Sequence, residues 1–125
     1  MMYLTQSIRD LDNRSHDMVG LFPAEAVMSK TTMTLGYRDL EMSSACLLGA
    51  AGVRAKGHEY HCSRLEATGP LHYACALTDA QGNSMGRDGL IVGNTLALYT
   101  HLHFWSEPAI AMALVAAAQQ KVGTR

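Results

Sequence analysis

Only the C-terminal segment of this chain carries a complete set of helix signals. Ser106 is a candidate N-cap, Glu107 lies where the helix dipole favours an acid, and Pro108 suits the first turn. An apolar face begins at Ile110, and alanines fill the remaining faces. Gly123 is a candidate C-cap. One helix is too few to supply the crossovers of an ordinary parallel sheet.

The rest of the chain reads mainly as strands and turns. Residues 31–42 have threonines and spaced apolar positions, with Gly36 as a candidate bulge. Pro23 should end a short buried strand. These patterns predict an α/β or α+β fold, with a β-rich partial sheet on which the C-terminal helix packs. The segments are a short helix at 1–8, strands at 18–22, 31–42, 53–66, 72–78, 90–92 and 95–100, and loops at 43–52 and 79–83.

Composition excludes several classes of partner. The 125 residues include ten basic and eleven acidic side chains, a net charge of −1. That balance leaves no basic surface for nucleic acid or an anionic membrane. No apolar stretch is long enough to span a bilayer, and the N-terminus lacks the pattern of a signal peptide. We therefore expect a single domain over residues 1–125, with no nucleic-acid or membrane partner.

The three cysteines do not form a recognisable framework. Cys46, Cys62 and Cys75 are odd in number and match no zinc ribbon or redox pair. Reduced, buried and inert thiols in a cytoplasmic protein are the simplest interpretation.

Four of the six histidines fall in two clusters, G-H-E-Y-H-C at 57–62 and H-L-H-F at 101–104. In a strand, His58 would share one face with Tyr60, while Glu59 and His61 would share the other. Three interpretations remain open: histidines hydrogen-bonded in a half-buried strand, a metal site, and a base that activates a cysteine. The spacing is one residue short of the helical H-E-x-x-H of metalloproteases.

Four segments, in order and with matching spacing, resemble the glutaminase domain of cobyrinate a,c-diamide synthases. M-Y-L-T at 2–5, followed by M-V-G-L at 18–21, resembles the stretch just after the nucleophile elbow, where the family has a G-x-C-G-G-Y-M-Y-L-type segment. L-G-Y-R at 35–38 resembles the family's L-G-Y-R/K strand. G-H-E-Y-H-C-S-R at 57–64 resembles G-H-E-F-H-Y-S, and Y-T-H-L-H-F at 99–104 resembles S-Y-x-H-L-H-F.

The resemblance implies a class I glutamine amidotransferase fold and a role for each matched residue. His101 would be the base that activates a nucleophilic cysteine. Gly57, His58, Glu59 and His61 would belong to a signature beside the site. The full enzymes free ammonia from glutamine and use it, with ATP and magnesium in an N-terminal synthetase domain, to amidate the a and c carboxylates of cobyrinate in cobalamin synthesis.

The chain also departs from the family pattern. Residue 1 stands just after the expected elbow, so the nucleophilic cysteine is absent, and none of the three cysteines falls at its place. The glutamate two residues after the histidine in this enzyme class is replaced by His103, as in this branch of the family. We therefore expect a C-terminal portion of the domain that is inactive alone, without a cofactor of its own.

Two alternatives stay open. One is a free-standing binding module, with a metal held by the histidine clusters. The other is a chain that completes its site with a separately encoded partner. Missing strands should leave an unpaired sheet edge and exposed apolar surface, which favours a homo-oligomer.

Overall fold

The computed structural model describes the backbone of residues 1–122 and the side chains of residues 1–119. The described part is β-rich with one α-helix, as predicted. Two single turns of 3-10 helix, Met2–Leu4 and Phe104–Ser106, flank the strands. The helix α1 is Pro108–Val122, and the ten strands are β1 (Thr5–Arg9), β2 (Ser15–Asp17), β3 (Phe22–Met28), β4 (Thr34–Met42), β5 (Arg54–His61), β6 (Ser63–Ala67), β7 (Tyr73–Thr78), β8 (Ser84–Val92), β9 (Thr95–Ala97) and β10 (His101–Leu102).

The strands form two sheets. The first has the order β2-β1-β3-β6 and contains a parallel pair, β1 with β3. The second has the order β10-β5-β4-β7-β8-β9 and is antiparallel throughout. β5 and β6 follow one another in the chain but lie in different sheets, so the polypeptide passes between the sheets at Cys62.

The second sheet is curled, because its two outer strands are consecutive in the chain. β9 ends at Ala97 on one edge, and β10 begins at His101 on the other. Six flat strands would separate these edges by about 24 Å at ~4.8 Å per strand. The four Cα steps from Ala97 to His101 reach at most about 14 Å. The sheet must therefore bend until its edges approach.

The main core lies on the concave side of this curled sheet. Fully buried side chains from neighbouring strands, including Leu40, Met42 and Leu77, pack together with Ile110 of α1. Ile110 is 0 % exposed, whereas Met112 and Val115 are exposed. The helix is therefore held to the sheet mainly through its first turn. A smaller cluster around Phe22 and Leu90 joins the first sheet to the second.

Several predicted boundaries are wrong at the N-terminal end. The expected helix at 1–8 is a single 3-10 turn followed by β1. The strand expected at 18–22 instead begins at Phe22 and runs through Pro23 to Met28. Pro23 is tolerated because the register with β1 shifts between Thr5 and Ser7, so no regular ladder bond requires its missing N–H.

Other predictions are confirmed or corrected in detail. The strand at 31–42 is β4, but Gly36 pairs in regular register with Glu59 and forms no bulge. The segment 53–66 is two strands, and β8 is longer than the predicted 90–92. The strand expected at 95–100 ends at Ala97.

The start of the helix also differs from the expectation. Ser106 does not cap α1: it ends a 3-10 turn, and its hydroxyl donates to the His103 carbonyl at 2.7 Å. The Glu107 carboxylate instead accepts the N–H of Ala109 at 3.1 Å. Gly123, the candidate C-cap, lies outside the described residues. No helix within the described part of the chain is long and apolar enough to cross a membrane.

Candidate functional site

The two histidine clusters meet at the edge of the second sheet. β10 pairs with β5 so that His101 lies directly opposite His58, and Tyr37 of β4 lies opposite His58 on the next strand. The two imidazoles stack, with ring centroids 5.0 Å apart and an interplanar angle of 23°. All three side chains are exposed. They form a row on the convex face, which we call the outer row (Tyr37, His58 and His101).

A hydrogen bond determines which nitrogen of the His101 ring is available. Its Nδ1 lies 3.3 Å from the main-chain carbonyl oxygen of His58. A carbonyl only accepts, so this contact requires the proton of the neutral ring to be on Nδ1. The lone pair of Nε2 is then free. An exposed imidazole with a free Nε2 can act as a general base.

The other face of β4 and β5 holds a buried ion pair. Arg38 Nε donates to Glu59 Oε2 at 2.6 Å, and both side chains are about nine-tenths buried. Glu59 Oε1 lies 3.4 Å from His61 Nε2. His58 and Tyr60 are exposed while Glu59 is buried, which confirms the predicted division of faces.

An aromatic contact links this inner face to the segment that carries His101. The rings of His61 and Tyr99 stack with centroids 3.9 Å apart. Ser63 Oγ and the Tyr99 hydroxyl are 2.8 Å apart, and the Ser63 hydroxyl also donates to the sulfur of Met2 at 3.0 Å. Burial raises the pKa of Tyr99, so its hydroxyl stays protonated near neutral pH. The signature at 57–64 therefore braces the chain two residues before His101.

His103 lies just beyond β10, where it extends the backbone pairing. Its N–H donates to the Lys56 carbonyl at 2.9 Å, and its own carbonyl accepts the Ser106 hydroxyl. The His103 side chain is exposed and makes no hydrogen bond with the residues whose side chains are described. The orienting contact of His101 comes instead from the His58 carbonyl.

None of the cysteines is hydrogen-bonded to His101 in the described chain. Cys75 is fully buried on the concave side, three strands from β10, and its thiol points to the Met42 sulfur at 3.4 Å. Cys46 points to the same sulfur at 3.9 Å. Burial raises the pKa of Cys75 to about 12, so this thiol is a poor nucleophile. Cys62 is exposed where the chain leaves β5 for the first sheet, so the expectation of three buried thiols is wrong for this residue.

The geometry also bears on the possible metal site. His58 points to the convex face, whereas His61 points inward to Glu59 and Tyr99, so these two imidazoles diverge. Within residues 1–119, no three histidine, cysteine or acidic side chains gather closely enough to hold an ion.

Sequence reasoning did not single out Asp88, whose buried carboxylate contacts the residues just before His101. A lone acid at the start of the apolar run 89–92 was the available signal. A charge that enters a core must be compensated there. The partners that compensate it lie 11 and 12 residues away in the chain, which no local pattern indicates.

Comparison with known proteins confirms the family resemblance of the sequence. A family model for the CobB/CobQ-like glutamine amidotransferase domain matches residues 1–109. A cobyrinate a,c-diamide synthase of Dehalococcoides mccartyi is 34% identical over 89% of this chain, and one of Methanocaldococcus jannaschii is 35% identical over 92%. A hydrogenobyrinate a,c-diamide synthase of Mesorhizobium japonicum is 33% identical over 80%. The matched regions make up 24%, 25% and 23% of these relatives, so the chain spans about a quarter of their length.

Proposed function

The chain belongs to the CobB/CobQ-like glutamine amidotransferase family, and on that premise we propose that residues 1–125 are the C-terminal portion of a glutaminase domain in which His101 is the general base. The observation that carries the proposal is the His101 ring itself. It is exposed at a sheet edge, and its Nδ1 contact with the His58 carbonyl leaves Nε2 free to accept a proton.

The chemistry follows from that free nitrogen. Nε2 of His101 removes the proton from a cysteine thiol, and the thiolate attacks the side-chain carbonyl carbon of glutamine. The protonated ring then donates this proton to the departing nitrogen, which leaves as ammonia. Water hydrolyses the resulting thioester, giving glutamate and the free thiol again.

We propose that the thiol is supplied from outside these 125 residues. Cys75 is buried with a raised pKa, Cys46 lies beside it, and Cys62 follows the last residue of β5, four residues beyond the His58 that pairs with His101. Met2, which follows the expected elbow position, contacts Ser63 of the signature and so lies near Tyr99. This contact supports a nucleophile that approaches from the N-terminal side. In a serine protease, loss of the nucleophile lowers turnover roughly a million-fold, and we expect a comparable loss here.

The activity of the whole protein is proposed from its relatives. Two of the relatives above are cobyrinate a,c-diamide synthases and one is a hydrogenobyrinate a,c-diamide synthase. We propose that ammonia from glutamine is used by a synthetase portion, outside these residues, that takes ATP and magnesium and amidates the a and c carboxylates of a corrinoid acid. The 125 residues would need no cofactor of their own.

The test compares two proteins. One is the 125-residue chain, and the other is the same chain extended at its N-terminus by the thiol-bearing elbow of a relative. Ammonia release from glutamine should be negligible in the first and measurable in the second. His101→Ala in the extended protein should remove most of the gain, whereas His16→Ala, at an exposed histidine of β2, should not. Glutaminase turnover by the unextended chain, or an active His101→Ala protein, would refute the proposal.

Exposed apolar side chains support a further proposal, that the chain self-associates. Leu35 and Tyr60 lie opposite one another on β4 and β5 and are 59% and 62% exposed, and Tyr37, two residues further along β4, is 83% exposed. Patches of this kind favour association. Light scattering of the purified chain should give a mass above 13.5 kDa, and a monomer at high concentration would contradict it.

A further inference from the structure

A buried carboxylate lies directly behind the segment that carries His101. Asp88, in β8, is only 3% exposed. Its Oδ2 accepts the N–H of Thr100 at 2.9 Å and the Thr100 hydroxyl at 2.8 Å. Both carboxylate oxygens lie within 3.2 Å of the Tyr99 N–H, and Oδ1 also accepts the N–H of Gly89 at 2.8 Å. Three of the four donor groups therefore belong to the two residues before His101.

Within residues 1–122, these donors have no strand to pair with. β9 leaves β8 after Ala97, and β10 joins β5 only at His101. Residues 98–100 cross the gap between the two edges of the curled sheet. A buried N–H without an acceptor destabilises the folded state, because it loses its hydrogen bond to water. Asp88 takes the place of the missing strand at this crossing.

The negative charge of Asp88 is stabilised mainly by hydrogen-bond donors of Tyr99 and Thr100. Within residues 1–119, no lysine, arginine or histidine forms an ion pair with it. Converging N–H and O–H donors can stabilise a buried carboxylate in this way. The stabilisation is reciprocal. The donors of Tyr99 and Thr100 stabilise the carboxylate, and the carboxylate holds these two residues in position.

We propose that Asp88 is a positioning residue for the base at His101. Its carboxylate fixes the backbone of Tyr99 and Thr100, which sets where β10 docks on β5. That docking creates the contact between Nδ1 of His101 and the His58 carbonyl, and so directs Nε2. The catalytic part of this proposal rests on the proposed function, whereas the structural part does not.

The primary test replaces Asp88 by Asn, which keeps the shape but removes the charge and one acceptor oxygen. The matched control is Asp79→Asn. Asp79 also accepts two backbone N–H groups, from Gln81 and Asn83, but it lies in the exposed turn after β7. NMR of the 125-residue chain reports the tautomer of His101 and the proximity of the His58 and His101 rings. Asp88→Asn should lose the Nδ1–H tautomer preference and the contact between the rings, and Asp79→Asn should keep both.

A milder pair of variants covers the case in which Asp88→Asn does not fold. Thr100→Val removes the hydroxyl donor at nearly constant shape, and Thr100→Ser retains it. Thr100→Val should weaken the His58–His101 contact, and Thr100→Ser should preserve it. If His101 keeps its tautomer and its neighbour in every variant that folds, Asp88 does not position the ring.

The activity arm uses the extended protein described above. Asp88→Asn should lower kcat for ammonia release by roughly 30- to 100-fold with KM within about threefold, because misplacement of a base by about 1 Å costs on that order. If the extended wild-type protein is inactive, the proposed function fails while NMR still decides the positioning role. If the ring contacts are lost but kcat is unchanged, the positioning of a catalytic base is refuted.

Discussion

Gly57 faces the backbone of His101 so closely that a Cβ added to Gly57 would lie 2.5 Å from the His101 carbonyl oxygen. The same atom would lie 2.7 Å from Cγ2 of Thr100. The first residue of the G-H-E-Y-H signature is therefore small because His101 and Thr100 lie where its side chain would be.

Gly57→Ala should push β10 away from β5. Overpacking of this kind costs typically about 1–3 kcal/mol of unfolding free energy, which denaturant titration measures. NMR should also show the His58 and His101 rings separating. Gly69→Ala is the control, since its nearest contact is Cβ of Pro23 at 3.2 Å, far from the outer row. Equal effects on the two rings in both variants would argue against this account of Gly57.

The ion pair between Arg38 and Glu59 should contribute far more to the free energy of unfolding than the exposed ion pair on the same two strands. Removing one partner of a buried pair leaves an uncompensated charge and costs about 3–5 kcal/mol. The pair between Glu41 and Arg54 also joins β4 to β5, but its side chains are 50% and 78% exposed, and such pairs contribute about 0–1 kcal/mol. Unfolding of Arg38→Met and Arg54→Met compares them directly, and similar losses would contradict the burial argument.

Cys75 should resist alkylation in the folded protein. With a pKa near 12 instead of the ordinary 9.0, its thiolate fraction at pH 8 falls from roughly a tenth to about one in ten thousand. Iodoacetamide labelling read by peptide mass spectrometry should therefore modify Cys75 about a thousandfold more slowly in the folded than in the unfolded chain. Cys62, which is exposed, should react in both states.

The same pKa has a consequence for stability. The unfolded thiol loses its proton near pH 9, while the folded thiol keeps it until about pH 12. The folded state therefore loses stability as the pH rises from 9 towards 12. Cys75→Ala should show a shallower fall over that range, and an unchanged slope would show that other groups dominate.

Ile110 should account for most of the attachment of α1. It is 0% exposed in the main core, so truncation to alanine should cost about 2–5 kcal/mol. Alanine favours helix more than isoleucine does, so a loss of far-UV helix signal on Ile110→Ala would report lost packing. Met112→Ala, at a side chain 72% exposed, should change stability by no more than about 0.5 kcal/mol. A helix unaffected by Ile110→Ala would mean that other contacts hold it.

The elements that could be predicted from the sequence are those determined by residues close together in the chain. The threonines and spaced apolar residues predicted β4, and the two-residue period of a strand predicted the two faces of β5, although Arg38 and Glu59 are buried and Tyr37 is exposed. Turn chemistry gave residues 79–83, where Asp79 accepts backbone N–H groups. Pro108 marks the first residue of α1, as expected.

The errors have a common physical source. Nothing local marks Cys62 as the point where the chain changes sheets, since residues on both sides are equally strand-forming. The Ser84–Arg87 stretch of β8 is exposed and was missed because pairing with β7 holds it, not an apolar pattern.

The candidate site depends even more on long-range register. His58 and His101 are 43 residues apart, and only the pairing of β5 with β10 brings them together. The role of His101 came from resemblance to a family, whereas its partner carbonyl and the support from Asp88 came from the folded geometry.

The short crossing from Ala97 to His101 has a mechanical consequence. Only residues 98–100 join β9 to β10, and Asp88 of β8 holds two of them, so a movement of the His101 backbone also disturbs contacts of β8. The location of His101 is thus governed by the curvature of the whole sheet. A substitution that flattens the β7–β8 hairpin should therefore shift residue 101. One residue added to the crossing should remove this coupling between the hairpin and residue 101.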